Sequence, residues 1–266
     1  KGQTIRLNQG LTLAKGKYIA RIDQDDISLP QRFEIQIKYF DIIPNLGLVG
    51  TKYICIDKNG KPIHNNSIQF ETNSNAIKWQ LLWRQVIGHS TVMYKKEEAE
   101  KYGGYSKEYT FAQDYSLWSM ISQNNEILQV DEILMKYRIH ENAQSSVIPS
   151  DSREKEYLLI RKSNIENLIE RQISLADAKL IISGTLGMQD IVLEDYKLLK
   201  DYQIEIYKKF NLKPGGTIIW EGDPLDAKMN LQAVYEVPGG ANPSILLDNP
   251  DFNKNIPTEV SIKLEG

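Results

Sequence analysis

The sequence lacks the residues that would mark a stapled, metal-clustered or membrane-spanning protein. It has one cysteine, Cys55, in 266 residues, which excludes an internal disulfide framework and any cysteine-based zinc cluster. Cys55 lies in the apolar run Lys52-Tyr-Ile-Cys-Ile-Asp57, where a thiol serves as a small buried hydrophobe. No apolar run is long enough to cross a bilayer and nothing at the start reads as a signal peptide, so the cytoplasm is the expected compartment. An excess of one charge is missing too. With 32 basic and 35 acidic residues the net charge is −3, and no global field recruits nucleic acid or an anionic membrane. What remains, 41% hydrophobic and 25% charged, is the composition of an ordinary globular protein of one large or two smaller domains. The chain opens Lys1-Gly2-Gln3 without methionine and stops at Gly266 directly after a strand-like alternation. Both ends are expected to be cut from something longer.

The pattern along the chain divides it into three parts. In the first, Lys17 to Asp23 alternates as a strand that ends in an acidic loop, and Pro30 opens a helix with Phe33, Ile37, Tyr39 and Phe40 at roughly helical spacing. Leu48–Gly50 and Lys52–Ile56 read as a strand pair or one bent strand, and Asp57-Lys-Asn-Gly60 as a turn back into Ile63. Helices are expected over Asn75–Gln85, Lys95–Lys101 and Asp114–Ser122, and strands over Ser90–Tyr94, Glu126–Val130 and Ile133–Ile139. Such alternation predicts an α/β sheet with ligand loops at its strand ends. From Arg153 to about Phe210 the pattern is helical, interrupted near Gly184 and Gly187. From Pro214 it is all β, with period-two strands at Thr217–Trp220, Lys228–Tyr235 and Glu259–Leu264.

The chemistry centres on Asp23-Gln-Asp25-Asp26 at a strand end. When a sugar leaves a nucleotide, the departing diphosphate develops negative charge. A hard divalent ion held by one or two carboxylates stabilises that charge. Two acids spaced i and i+2 can divide the work between ribose and metal, yet the same spacing also suits a solvated turn. An EF-hand is excluded, because the central glycine and the closing glutamate are missing.

The stretch from Leu11 to Gln36, LTLAKGKYIARIDQDDISLPQRFEIQ, closely resembles the central motif of family 2 glycosyltransferases. Its usual form is A-x-G-x-Y-I-A-R-x-D-x-D-D-x-x-x-P-x-R-x-x-x-Q. Two more stretches match that family in order. Gly88-His-Ser-Thr-Val-Met-Tyr94 resembles the strand on the acceptor side, and Gly103-Gly-Tyr105 with Ala112-Gln-Asp114-Tyr-Ser-Leu-Trp118 resembles G-G-Y followed by E-D-x-x-L-W. Lys136-Tyr-Arg138-Ile-His140, with Ser145, resembles the family's Y-R-x-H segment, which closes over the nucleotide.

The resemblance implies a partial GT-A (Rossmann-like) catalytic domain over residues 1–148, a helical tail over 149–210, and transfer, by inversion, from a nucleotide-diphosphate sugar to a hydroxyl. It assigns Asp23 and Asp25 to nucleotide and to Mn²⁺ or Mg²⁺, Arg138 and His140 to the diphosphate, and Asp114 to the base that deprotonates the acceptor. UDP-sugars are the favoured donors, and the acceptor is expected to be a sugar or a lipid-linked sugar of cell-surface polysaccharide or lipopolysaccharide. Asp26 reads as a cap for the following helix. Arg32 reads equally as a diphosphate contact or a loop support, and Asp114 also suits a helix N-cap. Gln113 stands where the family often has Glu, so a second carboxylate is lacking there. His89 and Trp118 are assigned to the acceptor side, with a structural histidine and core packing as the alternatives, and the same choice holds for Trp79 and Trp83. His64 is expected to be inert. The family's opening strand, helix and second strand do not precede Lys1, so the isolated chain is expected to bind nucleotide poorly.

Residues from Lys213 onward resemble a different family. Lys213–Tyr235, Asn242–Leu247 and Ile256–Gly266 are similar to the C-terminal region of the TamB family, non-catalytic β-structured proteins of the periplasm that serve outer-membrane biogenesis. A join near residues 207–214 is therefore expected, between fragments of two unrelated proteins, as in a sequence-assembly artefact. The rival to an enzyme is a β-rich envelope scaffold carrying a silent transferase remnant.

Overall fold

The computed structural model describes residues 2–63, 70–140, 150–186, 193–209, 216–220, 231–236 and 259–264. His64, Ser145, Gly187 and most of the expected joining segment lie outside them. The chain forms two compact units, residues 1–164 and 165–266.

The first unit runs α1 (Gln3–Leu13), β1 (Tyr18–Ala20), β2 (Ile27–Ser28), α2 (Arg32–Ile42), β3 (Leu46–Ile56), β4 (Pro62–Ile63), α3 (Ser74–Leu81), a 3₁₀ turn at His89–Thr91, β5 (Met93–Lys95), α4 (Lys96–Lys101), α5 (Gln113–Asn124) and β6 (Glu126–Arg138). Helix α6 (Ser150–Ile169) follows and spans the division between the units. The strands form one mixed sheet in the order β1-β5-β3-β6-β2, with β4 also on β3. β3 and β6 are parallel and the other pairs antiparallel. The two segments read as separate strands on either side of Asp131 are one strand, β6. The bent strand at 46–56 is likewise single, its register shifting at Thr51, Lys52 and Tyr53. Leu46, Leu48, Val49 and Ile56 of β3 are fully buried. α5 packs Leu117, Trp118 and Ile121 into one core with Leu48, while Leu46 and Val49 pack with Phe40 and Met93 in another. A Cβ at Gly47 would meet Asn125 and Ile121 at 2.7–2.9 Å, so only glycine lets α5 approach so closely.

Helix α2 turns a different face inward from the one its apolar spacing suggests. Phe33 and Ile37 are 51% and 39% exposed, whereas Arg32, Gln36 and Phe40 are buried. Hydrogen bonding is the reason. Arg32 donates to the carbonyls of Arg21 (2.8 Å) and Val92 (2.9 Å) and to the Gln36 amide oxygen, while Gln36 donates to the carbonyls of Val49 and Thr91. Strand-end carbonyls buried without partners would cost more than burying these two side chains. Burial brings the Arg32 guanidinium down to about 10, still charged at neutral pH.

The second unit contains α7 (Leu175–Leu186), α8 (Leu193–Lys209) and a separate antiparallel sheet β7-β8-β9 (Gly216–Trp220, Leu231–Glu236, Glu259–Leu264). The break between α6 and α7 falls at Glu170, in the left-handed region at φ 58°, and at Ser174, whose hydroxyl accepts the Asp177 N–H. Gly184 lies inside α7 and breaks nothing. In the sheet, Ile218 stands opposite Ala233 and Ala233 opposite Ile262.

Candidate active site

The acidic loop joins β1 to β2, and its three carboxylates have three different partners. Asp23 accepts from Arg21 through one oxygen and from the Ser90 hydroxyl (2.8 Å) through the other. Its own N–H donates back to Ser90. Burial pushes the Asp23 carboxyl up, but Arg21, Ser90 and His89 together outweigh it and hold the group below its ordinary range. Asp25 is about one-third exposed and sits 2.8 Å from His140 Nε2. Asp26 points inward and accepts the Arg138 backbone N–H at 2.8 Å. Burial raises the Asp26 carboxyl above its ordinary value, opposed by Ser90 and the Arg138 N–H. The expected cap role for Asp26 is corrected, because α2 begins at Arg32 with Gln31 as its N-cap residue. Arg32 supports the loop through the Arg21 carbonyl and has no exposed surface to offer a phosphate.

Arg138 is occupied with backbone. Its guanidinium donates to the carbonyls of Asp25 (2.8 Å), Asp57 (2.8 Å) and Lys58 (3.1 Å), and it does not line the cleft that His140 and Tyr137 border. It therefore pins the acidic loop to the β3–β4 turn. The Y-R-x-H segment reaches the cleft through His140.

The 3₁₀ turn, held to the acidic loop through Ser90, and α5 also border the cleft. Gly103 and Gly104 have φ of 76° and 79°, as the stop of α4 requires, and a Cβ at Gly104 would lie 2.5 Å from Asn8 Oδ1. That contact is used: Asn8 accepts the Tyr105 N–H and donates to the Tyr105 carbonyl, each at 2.8 Å, which ties α1 to the G-G-Y turn. Tyr105 Oη then lies 3.2 Å from both His89 Nε2 and Tyr94 Oη. His89 lines the cleft, and burial lowers its pKa although Asp114 and Asp23 oppose the shift. Trp118 has no exposed surface; its ring packs against Tyr94, Tyr105 and His89. Its assignment to the acceptor surface is corrected: Trp118 backs the cleft wall from the core. Trp83 is buried as well.

Asp114 borders the cleft from the first turn of α5, where the helix dipole favours a carboxylate. The N-cap residue is Ala112, so Asp114 is not spent on capping. It accepts from Gln85 Nε2 (3.0 Å) and from the Tyr115 N–H (2.8 Å). The carboxylate that stabilises this helix start comes from Glu156 of α6, which accepts the N–H groups of Thr110, Phe111 and Ala112 at 2.8–2.9 Å. Nothing in the local sequence foretold Glu156, since its partners lie more than forty residues earlier. The same is true of α1, whose Gln3 accepts from Gln113 (3.2 Å), and of Arg6, Arg153 and Tyr157, which also line the cleft.

The cleft holds about 1270 Å³ and is bordered by Asp23, Asp25, His140, Asp114 and Tyr157. A mixed α/β sheet presenting an acidic loop and a lone carboxylate across one cleft defines a GT-A glycosyltransferase fold. The structure of Staphylococcus aureus TarS residues 1–349 in complex with UDP-GlcNAc shares it, with a TM-score of 0.50 at 15% identity over 79% of this chain and 62% of that one. Residues 1–103 match the glycosyl transferase family 2 model. An uncharacterized glycosyltransferase of Haemophilus influenzae is 25% identical over 86% of this chain and 73% of its own length. The amylovoran biosynthesis glycosyltransferase AmsE of Erwinia amylovora is 34% identical, and the O-antigen biosynthesis glycosyltransferase WbnJ of Escherichia coli is 36% identical. Each of these two aligns with about half of this chain, which spans 48% and 52% of their lengths. Residues 195–266 match the TamB C-terminal domain model, which starts within α8 and so earlier than the strand pattern alone indicated.

Proposed function

We propose that the first unit transfers a sugar from a nucleotide-diphosphate donor to a hydroxyl acceptor by one inverting displacement. The supporting observation is that Asp25, with His140 beside it, and Asp114 border a single cleft. The donor diphosphate belongs beside Asp25. There Asp23 is fixed by Arg21 and Ser90 and addresses the ribose side, while Arg138 keeps the loop in place. Asp114 accepts the proton of the attacking hydroxyl. The names of AmsE and WbnJ, which place them in amylovoran and O-antigen biosynthesis, support a cell-surface glycan as the product.

A divalent ion fits this site. Both oxygens of Asp23 already have partners, which leaves Asp25, with His140 beside it, to hold Mn²⁺ or Mg²⁺. Among the described residues there is no cluster of three or more His, Cys, Asp or Glu that could hold a metal. When bound, the ion would supply charge stabilisation to the leaving diphosphate. UDP titrated into the chain with and without Mn²⁺ tests the reading: Asp25→Ala should remove the metal-dependent part of the affinity. Unchanged metal dependence in that variant would contradict it.

A second reading concerns residues 195–266, where the TamB match and the antiparallel β7-β8-β9 sheet favour a β-rich envelope-assembly segment joined to the transferase. Amplifying source DNA across codons 207–214 tests whether the two parts share one gene. Among the described residues no helix is long and apolar enough to cross a membrane.

A further inference from the structure

We propose that the cleft contains an anion subsite near Asp114, formed by Arg153 and Arg6 beside Tyr157, which selects an acceptor bearing a phosphate or carboxylate near its reacting hydroxyl. This rests on the reading of Asp114 as the acceptor-side base. Arg153, near the start of α6, is half-buried and lines the cleft. Tyr157 lies one turn further along α6 and also lines the cleft, with its ring 5.2 Å from that of Tyr115. Burial raises the Tyr157 hydroxyl, Asp114 adds to the shift and Arg153 opposes it, so the carboxylate and the guanidinium both act on one hydroxyl group. Gln3 of α1 is hydrogen-bonded to Gln113, the neighbour of Asp114. Arg6 stands one turn beyond Gln3 and borders the same cleft.

Among the described residues, the remaining charges give these two guanidinium groups no ion-pair partner. Arg21, the third cleft arginine, pairs with Asp23. Glu156 on α6 is held by three backbone N–H groups, and Glu154 pairs with Arg161 at 3.3 Å. Among the described residues, neither Arg6 nor Arg153 has a side-chain hydrogen bond or ion pair. Arg153, half-buried, and Arg6, exposed, both border the cleft, and their planar forks suit a phosphate or carboxylate group. The donor diphosphate is assigned, in the reading above, to Asp25 and the metal it would hold. A neutral acceptor would leave both cations unmatched.

The test is calorimetric titration of glucose 6-phosphate, glucuronate and glucose into the full chain, with and without saturating UDP and Mn²⁺. With the donor site filled by UDP, anion binding reports on the subsite near Asp114. The two anions should bind about tenfold more tightly than glucose, and Arg153→Gln and Arg6→Gln should each reduce that preference severalfold, with UDP affinity as the internal control. Equal affinity for glucose and the anions would overturn the proposal while leaving UDP binding and the transferase reading intact. A loss of UDP affinity in Arg153→Gln that matches its loss of anion affinity would also overturn it, by assigning the guanidinium to the donor. An anion preference in a chain that binds no UDP would support the subsite and remove the transferase reading.

Discussion

At the scale of the residue, the division of labour among three neighbouring aspartates depends on partners far away in sequence. Asp23 is fixed by Ser90, 67 residues on, and Asp26 by the Arg138 backbone, 112 residues on. The acidic triplet itself was legible because it ends a strand. Asp23 and Asp25, which the resemblance assigns to nucleotide and metal, line the cleft and Asp26 does not. The Ser90 and Arg138 contacts that fix the loop carry no local sign in the sequence. Asp114→Asn keeps shape and hydrogen bonding but removes the base, so kcat should fall about 10²- to 10⁴-fold with UDP affinity unchanged, as read by steady-state kinetics and titration. His89 gives a pH signature. Its folded pKa lies below the unfolded value of 6.5, so the unfolded chain takes up a proton that the folded one refuses. Its contribution to stability is complete above the unfolded pKa and is lost as pH falls from about 6.5 toward the folded value. Thermal melts of wild type and His89→Gln should therefore converge as pH drops from 7 to 5; parallel curves would rule out this role.

At the scale of the element, strands and helices were legible wherever burial followed a simple period. The β3 run and the α5 stripe of Leu117, Trp118 and Ile121 are examples. α2 was legible as a helix but not in its orientation, because its inward face is chosen by the carbonyls that Arg32 and Gln36 satisfy. Trp118 misled in the reverse way: its motif position suggested a sugar contact, and its packing places it in the core. The Gly103-Gly104 stop could be read, whereas the demand of Asn8 for the space beside Gly104 could not. Gly104→Ala should destabilise the first unit by about 1–3 kcal/mol through left-handed strain, together with displacement of Asn8, as denaturant unfolding would show. The start of α5 depends on Glu156. Glu156→Ala leaves three N–H groups without their acceptor, so it should lower the melting temperature and reduce kcat by misplacing Asp114, while donor KM stays close to wild type. Glu156→Gln, which keeps one acceptor oxygen, should recover part of both.

At the scale of the whole molecule, one cleft in residues 1–164 gathers the residues that the acidic, G-G-Y and Y-R-x-H stretches contribute, although they are spread from position 23 to 140. Two of its walls escaped sequence reading. α1 carries no chemical motif, and the start of α6 contributes Arg153 and Tyr157 from a segment that reads simply as an amphipathic tail. The second unit contributes no residue to this cleft among the described residues. The central claim is that the cleft takes a nucleotide diphosphate through a metal at Asp25. Calorimetric titration of UDP and of several UDP- and GDP-sugars, with and without Mn²⁺, tests it most directly. Saturable binding that requires Mn²⁺ and is lost in Asp25→Ala is the predicted result. A folded protein that binds none of these ligands, or binds them equally well without metal, would contradict it.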